Sequence, residues 1–297
     1  LRVGGKGLGL SYLKNGQWSA DAVCAGRNAS HAIREPSRNA GRQSKPMNHA
    51  DREKTCLPLL EAAPTFAPIP NEALRWIAGG CHTRTARRGQ VLCKKGEPLS
   101  GFFVLVGGRV KLSILSVDGA ERVLDVVLPG RTFGEAAAFL DQPCPLHAEA
   151  LMDSRLVFVD RNRVREAIAR WPDVAHLMLA IVATRAQRLI SDLEACCLHS
   201  ASQRVAGLLL RDAVSDPLQP DAARVSLPAA KTVIASSLNL SAETFSRELH
   251  ALARQGLIEV TRREIRIPSL LRLRGAVGTD AATLGAVPEA RTATESA

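Results

Sequence analysis

Aromatic side chains are scarce in this sequence, with seven Phe, three Trp and one Tyr among 297 residues. The apolar content of 46% must therefore build mostly aliphatic cores. No apolar run approaches the length of a membrane span. The best candidate, Val174 to Ala183, is broken by His176. No signal-peptide hydrophobic region is present either. The seven cysteines (24, 56, 81, 93, 144, 196 and 197) show no paired spacing, so neither a zinc motif nor a disulfide framework is expected. The expected setting is cytoplasmic, with reduced thiols. No nucleophile–base constellation, metal motif or phosphate loop appears. Gly4, Gly5, Gly7 and Gly9, like Gly107–Gly108, do not join a strand to a helix as a dinucleotide fingerprint requires. Enzymatic chemistry is not expected.

Positive charge is present, at +10 overall with an isoelectric point near 9.7, but it is unevenly placed. In residues 1–50, Arg2, Lys6, Lys14, Arg27, Arg34, Arg38, Arg42 and Lys45 face only Asp21 and Glu35. That segment is rich in Gly, Ser, Asn and Arg and has no periodicity. Residues 1–56 are read as a disordered extension, with translated upstream sequence or a basic arm as alternatives for the first 46. The stretch 200–275 is only mildly basic. Net charge therefore fits a polyanionic partner weakly, and local motifs must make the case.

From Gly89 to Phe158, short β-type runs (91–96, 102–115, 122–128 and 154–159) alternate with glycine-centred turns. Asp118–Gly119 is a strong hairpin signal. This predicts a β-roll domain over 57–170. A long helix follows over 171–199, where Leu179, Val182, Ala186, Leu189, Leu193 and Cys196 step by three and four, the seam of a coiled-coil dimer. A second stripe, Val174, Met178 and Ile181, suits packing on the roll. After a helix over 201–213 and a loop rich in Pro and Asp, a short helix (228–237) leads to the turn Leu238–Asn239–Leu240. Ser241 then caps a helix running to about Gln255. Ile258 to Ile267 reads as a hairpin wing. Residues 200–274 form a winged helix-turn-helix, and 275–297 a disordered tail. The fold class is α+β.

The segments G-Q-V-L-C-K-K-G-E-P, F-F-V-L-V-G-G-R-V-K-L, P-G-R-T-F-G-E and E-T-F-S-R, in this order, resemble those of the Crp/Fnr superfamily of transcription regulators. The helix and wing are most similar to the Dnr-type branch, in which nitric oxide controls denitrification. The resemblance covers about residues 57–274. It implies a cyclic-nucleotide-binding-like sensor roll, a homodimer, double-stranded DNA and RNA polymerase as partners, and no membrane.

Glu243, Ser246 and Arg247 lie at i, i+3 and i+4 and share one helix face. By resemblance, E-x-x-S-R reads a TTGAT-like half-site. Arg247 can pair bidentately with G, Glu243 can accept from the C amine, and Ser246 is small enough to approach a T methyl. Ala242 and Thr244 support that contact, while Lys231, Arg262 and Arg263 are expected on phosphates. The cAMP-responsive branch carries Gly at position 246 and Arg at 242, and reads a different half-site.

For the sensor, Gly134–Glu135 match the segment that holds the nucleotide in cAMP-binding relatives. The partner region, Cys144-Pro-Leu-His, lacks the Arg and Ser that bind the cyclic phosphate, so cAMP is not expected. Three closely spaced N-terminal cysteines, needed for a [4Fe–4S] cluster, are also missing. The resemblance implies haem as the carrier of nitric oxide, but His82, His147, His176 and His199 offer no spacing that selects a metal ligand. Cys196–Cys197 is a candidate thiol switch, and Cys93 and Cys144 read as packing residues.

Overall fold

Asn48 opens the described chain by accepting a hydrogen bond from the Asp51 N–H at 2.8 Å, which caps α1 (His49–Glu61). The structure is a computed structural model that describes residues 48–277. Cys56 and Leu60 of α1, four residues apart on one face, are buried with α2 (Asn71–Ala78) in the sensor core. The expected boundary at 56 is therefore corrected: helix begins at His49. The basic segment 1–47 and residues 278–297 lie outside the described residues.

The roll contains β1 (Cys81–Ala86), β2 (Val91–Cys93), β3 (Gly101–Gly107), β4 (Val110–Leu115), β5 (Glu121–Val127), β6 (Thr132–Phe133), the short helix α3 (Glu135–Leu140), β7 (His147–Ala150) and β8 (Ser154–Asp160). They form two four-stranded antiparallel sheets, ordered β1-β8-β3-β6 and β2-β7-β4-β5. Between them lie Phe103, Leu105, Leu112, Val127, Phe133 and Leu156. Phe103 and Phe133 stack at 5.0 Å, so the few aromatic residues are concentrated here. The run expected over 102–115 is split into β3 and β4 at Gly107–Gly108. The β4–β5 hairpin turns at Asp118–Gly119, where Gly119 adopts φ 82°, a conformation open to glycine at little steric cost. The strands β1, β6 and β7 were not foreseen; β6 has only two residues, and β1 exposes four of its six.

Asp160 caps α4 (Arg161–Arg170), accepting from the N–H groups of Asn162 and Arg163. The long helix α5 (Pro172–Leu198) starts with proline at its first position, where no intrahelical donor is lost. Val174, Leu177 and Met178 are buried in the sensor core and Ile181 packs against it. The opposite face remains exposed.

The last domain comprises α6 (Ala201–Arg211), β9 (Val214–Asp216), β10 (Gln219–Ser226), α7 (Lys231–Ser237), α8 (Ala242–Arg254), β11 (Glu259–Thr261), β12 (Glu264–Ile267) and α9 (Leu270–Val277). Ser200 and Gln203 form a reciprocal capping box on α6. The segment expected as a loop is instead the β9–β10 hairpin, in a sheet ordered β11-β12-β10-β9. Pro217, Pro220 and a register shift between Gln219 and Ala223 disguise it, while Ala223 and Val225 point into the core. Residues 275–277, expected in the tail, belong instead to α9, which continues to Val277. Among the described residues, no helix is long and apolar enough to cross a membrane.

Candidate nucleic-acid interface and sensor pocket

The turn before α8 is built by Asn239, whose φ of 57° lies in the left-handed region that Asn tolerates better than most residues. Leu240 N–H donates back to Ala235 C=O, closing the turn. Ser241 Oγ accepts from the Thr244 N–H at 3.1 Å, so one orphan donor of α8 is satisfied. Phe245, Leu249 and Leu252 bury one face of α8 against Ile234, Val225 and Ile265. The opposite face carries Glu243 and Arg247, both exposed, with Ser246 half-buried between them. Arg247 is 70% exposed and makes only a loose 3.7 Å contact with Glu248. No ion pair joins Glu243 to Arg247 among the described residues, so both groups are free for other partners. Ala242 and Thr244 flank them, half-buried. Lys231 stands at the first position of α7, and Arg262 and Arg263 form the exposed tip of the β11–β12 wing.

In the roll, Gly134 takes φ 93°, and a Cβ there would meet Leu99 Cδ1 at 3.3 Å. This lets β6 turn directly into α3 and places Glu135 beneath α5, 3% exposed. Arg185 of α5 donates to Glu135 Oε2 at 3.0 Å and to the Thr132 carbonyl at 3.0 Å. The other carboxylate oxygen, Oε1, is buried without a protein partner. Beside this latch lies a cavity of about 340 Å³, lined by Thr132, Thr184, Arg131, Arg185, Arg188 and aliphatic residues of α5.

The outer face of α5 carries Leu179, Val182, Ala186, Leu189 and Leu193, all exposed, with Ile190 and Leu198 adding to it. Cys196 departs from the expected seam. It is half-buried and accepts a hydrogen bond from Arg122 Nη2 at 3.3 Å, while Cys197 takes the outward position.

The cyclic nucleotide-binding domain family matches residues 83–170, and the Crp-like helix-turn-helix domain family matches residues 203–276. Together these matches take in more than half of the chain. The chain belongs to the Crp/Fnr superfamily of transcription regulators. It is 29% identical over 187 residues to the CRP-like cAMP-activated global transcriptional regulator of Mycobacterium tuberculosis, covering 63% of this chain and 84% of that protein. It is 27% identical over 224 residues to the nitrogen fixation regulation protein FixK of Azorhizobium caulinodans, covering 66% and 88%. The solved structure of FixK2 from Bradyrhizobium japonicum matches with a TM-score of 0.58 at 25% identity, over 67% of this chain and 98% of that one. This Crp/Fnr regulator is a DNA-binding protein and not an enzyme. None of these matches singles out the Dnr-type branch.

The haem implied by that branch needs an axial His, Cys, Met or Tyr. The cavity under α5 is lined by none of these. His82 packs on Phe158 at 4.9 Å, and burial, with Arg84 and Arg52 nearby, holds its pKa below the ordinary histidine range. His147 lies on β7, His176 is exposed on α5, and His199 follows the end of α5. Among the described residues, no group of three His, Cys, Asp or Glu could hold a metal ion. These residues do not fit a haem at the cavity. Sequence reasoning also missed Arg122, Arg185 and Arg204, whose side chains join separate elements of this chain. Arg122 holds Asn239 Oδ1, and Arg204 donates to the carbonyls of Leu238 and Asn239 at 2.9 and 3.2 Å, so the helix-turn-helix turn is gripped from outside.

Proposed function

We propose that this regulator binds, as a homodimer, a palindrome similar to TTGAT-N4-ATCAA, with Glu243, Ser246 and Arg247 reading base edges. The observation that carries the reading is the face of α8. Phe245 and Leu249 fix the helix to the domain, while Glu243 and Arg247 project from the other side without pairing to each other. Arg247 offers a planar fork for G O6 and N7, and Glu243 offers an acceptor for the C N4 amine. Ala242 and Thr244 shape the contact, and Lys231, Arg262 and Arg263 hold phosphates. The apolar outer face of α5 is the surface a second copy would cover, and RNA polymerase belongs to this reading as a further partner.

Control enters through the latch between Glu135 and Arg185. A small molecule that donates to the unpartnered Glu135 oxygen, or competes for Arg185, changes how α3 holds α5, and so shifts the populations of dimer packing. The Mycobacterium tuberculosis relative is named as cAMP-activated. Here Glu135 is engaged by Arg185, and the segment from Cys144 to His147 carries no Arg or Ser for a cyclic phosphate, so a different effector is proposed. Nitric oxide sensing through haem rests on no ligand that the cavity supplies. A haem-reconstituted absorption spectrum with a stoichiometric band that moves with nitric oxide would restore it.

A gel shift on a TTGAT-N4-ATCAA duplex tests the DNA reading. Sequence-selective binding that weakens with salt is expected, unchanged by cAMP. Arg247→Ala should cost about 1–3 kcal/mol at the G position and relax selectivity there. A uniform loss across sequences would make Arg247 a phosphate contact instead. The absence of any selective shift, in any effector state, would remove the reading altogether.

A further inference from the structure

Cys93 and Cys144 are 51 residues apart in sequence, yet their sulfurs face each other at 3.5 Å. Cys93 ends β2, and Cys144 lies in the loop between α3 and β7. Backbone bonds hold the two segments together: Gly96 N–H donates to the Cys144 carbonyl at 2.8 Å, and Cys144 N–H to the Glu97 carbonyl at 2.8 Å. The juxtaposition therefore belongs to the fold and does not depend on side-chain chance. Both thiols are buried, at 2% and 1% exposure, while their chain neighbours Lys94 and Pro145 are exposed. The other described cysteines differ. The Cys81 thiol donates to the Ile77 carbonyl at 3.2 Å, and Cys196 accepts from Arg122.

With the Cys144 thiol donating to the Leu146 carbonyl at 3.3 Å, the Cys93 thiol donates to the Cys144 sulfur. The hydrogen bond from Cys93 draws the Cys144 pKa down to about 7 against the opposing effect of burial, and the same bond, with burial, pushes Cys93 up. Cys144 is thus the attacking sulfur and Cys93 the resolving one.

We propose that Cys93 and Cys144 form a reversible dithiol–disulfide site in the sensor domain, oxidised by a peroxide. The Cys144 thiolate attacks one oxygen of hydrogen peroxide and the O–O bond breaks. Cys144 becomes a sulfenic acid, and the other oxygen leaves as hydroxide, which takes up a proton to give water. The Cys93 sulfur then attacks the Cys144 sulfur, forming the S–S bond and breaking the S–O bond. The oxygen leaves as a second water with the Cys93 proton. Two thiols and one peroxide yield a disulfide and two waters, the sulfurs giving up two electrons. The sulfurs must close from 3.5 Å to about 2.05 Å. The bond would staple the end of β2 to the segment that follows α3, the helix bearing Glu135, so it acts within the sensor roll and not on α8.

The test uses the full chain carrying Cys197→Ser, treated with hydrogen peroxide and digested without reductant. The expected result is a linked peptide pair containing residues 93 and 144, loss of both thiols from the alkylated pool after denaturation, and recovery of both on adding dithiothreitol. Cys93→Ser should instead accumulate a sulfenic acid at residue 144 that dimedone traps, and Cys144→Ser should give neither product. A peroxide dose that oxidises Cys197 in the parent chain, yet leaves Cys93 and Cys144 alkylatable, would overturn the proposal. So would conversion of Cys144 to sulfinic acid without any linked peptide. The readout is thiol state, so it stands apart from any result on DNA.

Discussion

Lys111 sits on β4 at 8% exposure, where an uncompensated ammonium would be costly. Its Nζ lies 2.8 Å from Glu121 and 3.3 Å from Glu149, and Ser113 Oγ donates to Glu121 at 2.7 Å. Burial alone would lower the lysine pKa, but the two carboxylates overcome this and raise it. For Glu121, burial works upward while Lys111 and Ser113 pull the pKa down, and the pull prevails. The signs follow by linkage. The lysine contribution is full below its unfolded value and is lost as pH rises through its raised folded value. The Glu121 contribution is present above the ordinary carboxylate range and is lost as pH falls through its depressed folded value. The network is therefore strongest between those limits. Lys111→Met should lower stability at neutral pH by about 1–2 kcal/mol, discounted because both carboxylates are over one-third exposed. The shift in urea midpoint measures this, and an unchanged midpoint would show that the triad contributes nothing net. None of this was visible in the sequence. Glu243, Ser246 and Arg247 could be singled out because their chemistry needs only one exposed helix face. Lys111, Arg185 and Arg122 depend on partners brought together by the sheets and by α5.

At the scale of elements, legibility followed local signals. Asp118–Gly119 marked the β4–β5 hairpin, Asn239 the left-handed turn, and Ser241 the start of α8, because each position constrains its own backbone. The strands β1, β6 and β9 were missed because they are short or polar, and their pairing is decided by distant neighbours. The long helix was readable on both faces. Val174 and Met178 join the sensor core, whereas Leu189 and Leu193 stay 52% and 64% exposed. At the last position expected on the seam, Cys196 is half-buried beside Arg122, while Cys197 is exposed. An exposed apolar stripe of this kind calls for a cover, and a heptad spacing favours another copy of the same helix. Leu189→Arg combined with Leu193→Arg should place like charges across the seam and convert the dimer to monomer in sedimentation velocity. Retention of a dimer by this variant would mean that the stripe is not the interface. Sensor-domain stability should be unaffected, since neither residue touches its core.

At the scale of the whole molecule, the sensor and DNA-binding domains are joined by more than the end of α5. Val123 and Val126 of β5 belong to the core that contains Phe245 and Ile234, and Val123 N–H donates to Ser236 Oγ at 3.0 Å. Arg122 reaches from the same strand to Asn239 and Cys196, touching at once the turn before α8 and the end of α5. A shift of the hairpin therefore moves the base of α8 directly, without passing through the length of α5. Coupling between sites in such systems is typically about 1–3 kcal/mol, about fivefold or more in affinity. Arg122→Ala should release the turn while leaving Val123 and Val126 in place. The expected outcome is faster amide hydrogen exchange across α7 and the residues 238–241, with little change in the sensor strands. Operator affinity should change by about fivefold in a gel shift if Arg122 carries a coupling of that size. Two controls sharpen the comparison. Arg204→Ala removes the other grip on the same turn and, among the described residues, no hydrogen bond to β5, so it should loosen the turn in hydrogen exchange while leaving β5 as it was. Arg131→Ala removes the 3.0 Å ion pair with Asp125 but, among the described residues, no hydrogen bond to the turn, and should leave exchange across 238–241 unchanged. Equal exchange in Arg122→Ala and the parent chain would show that Arg122 does not hold the turn.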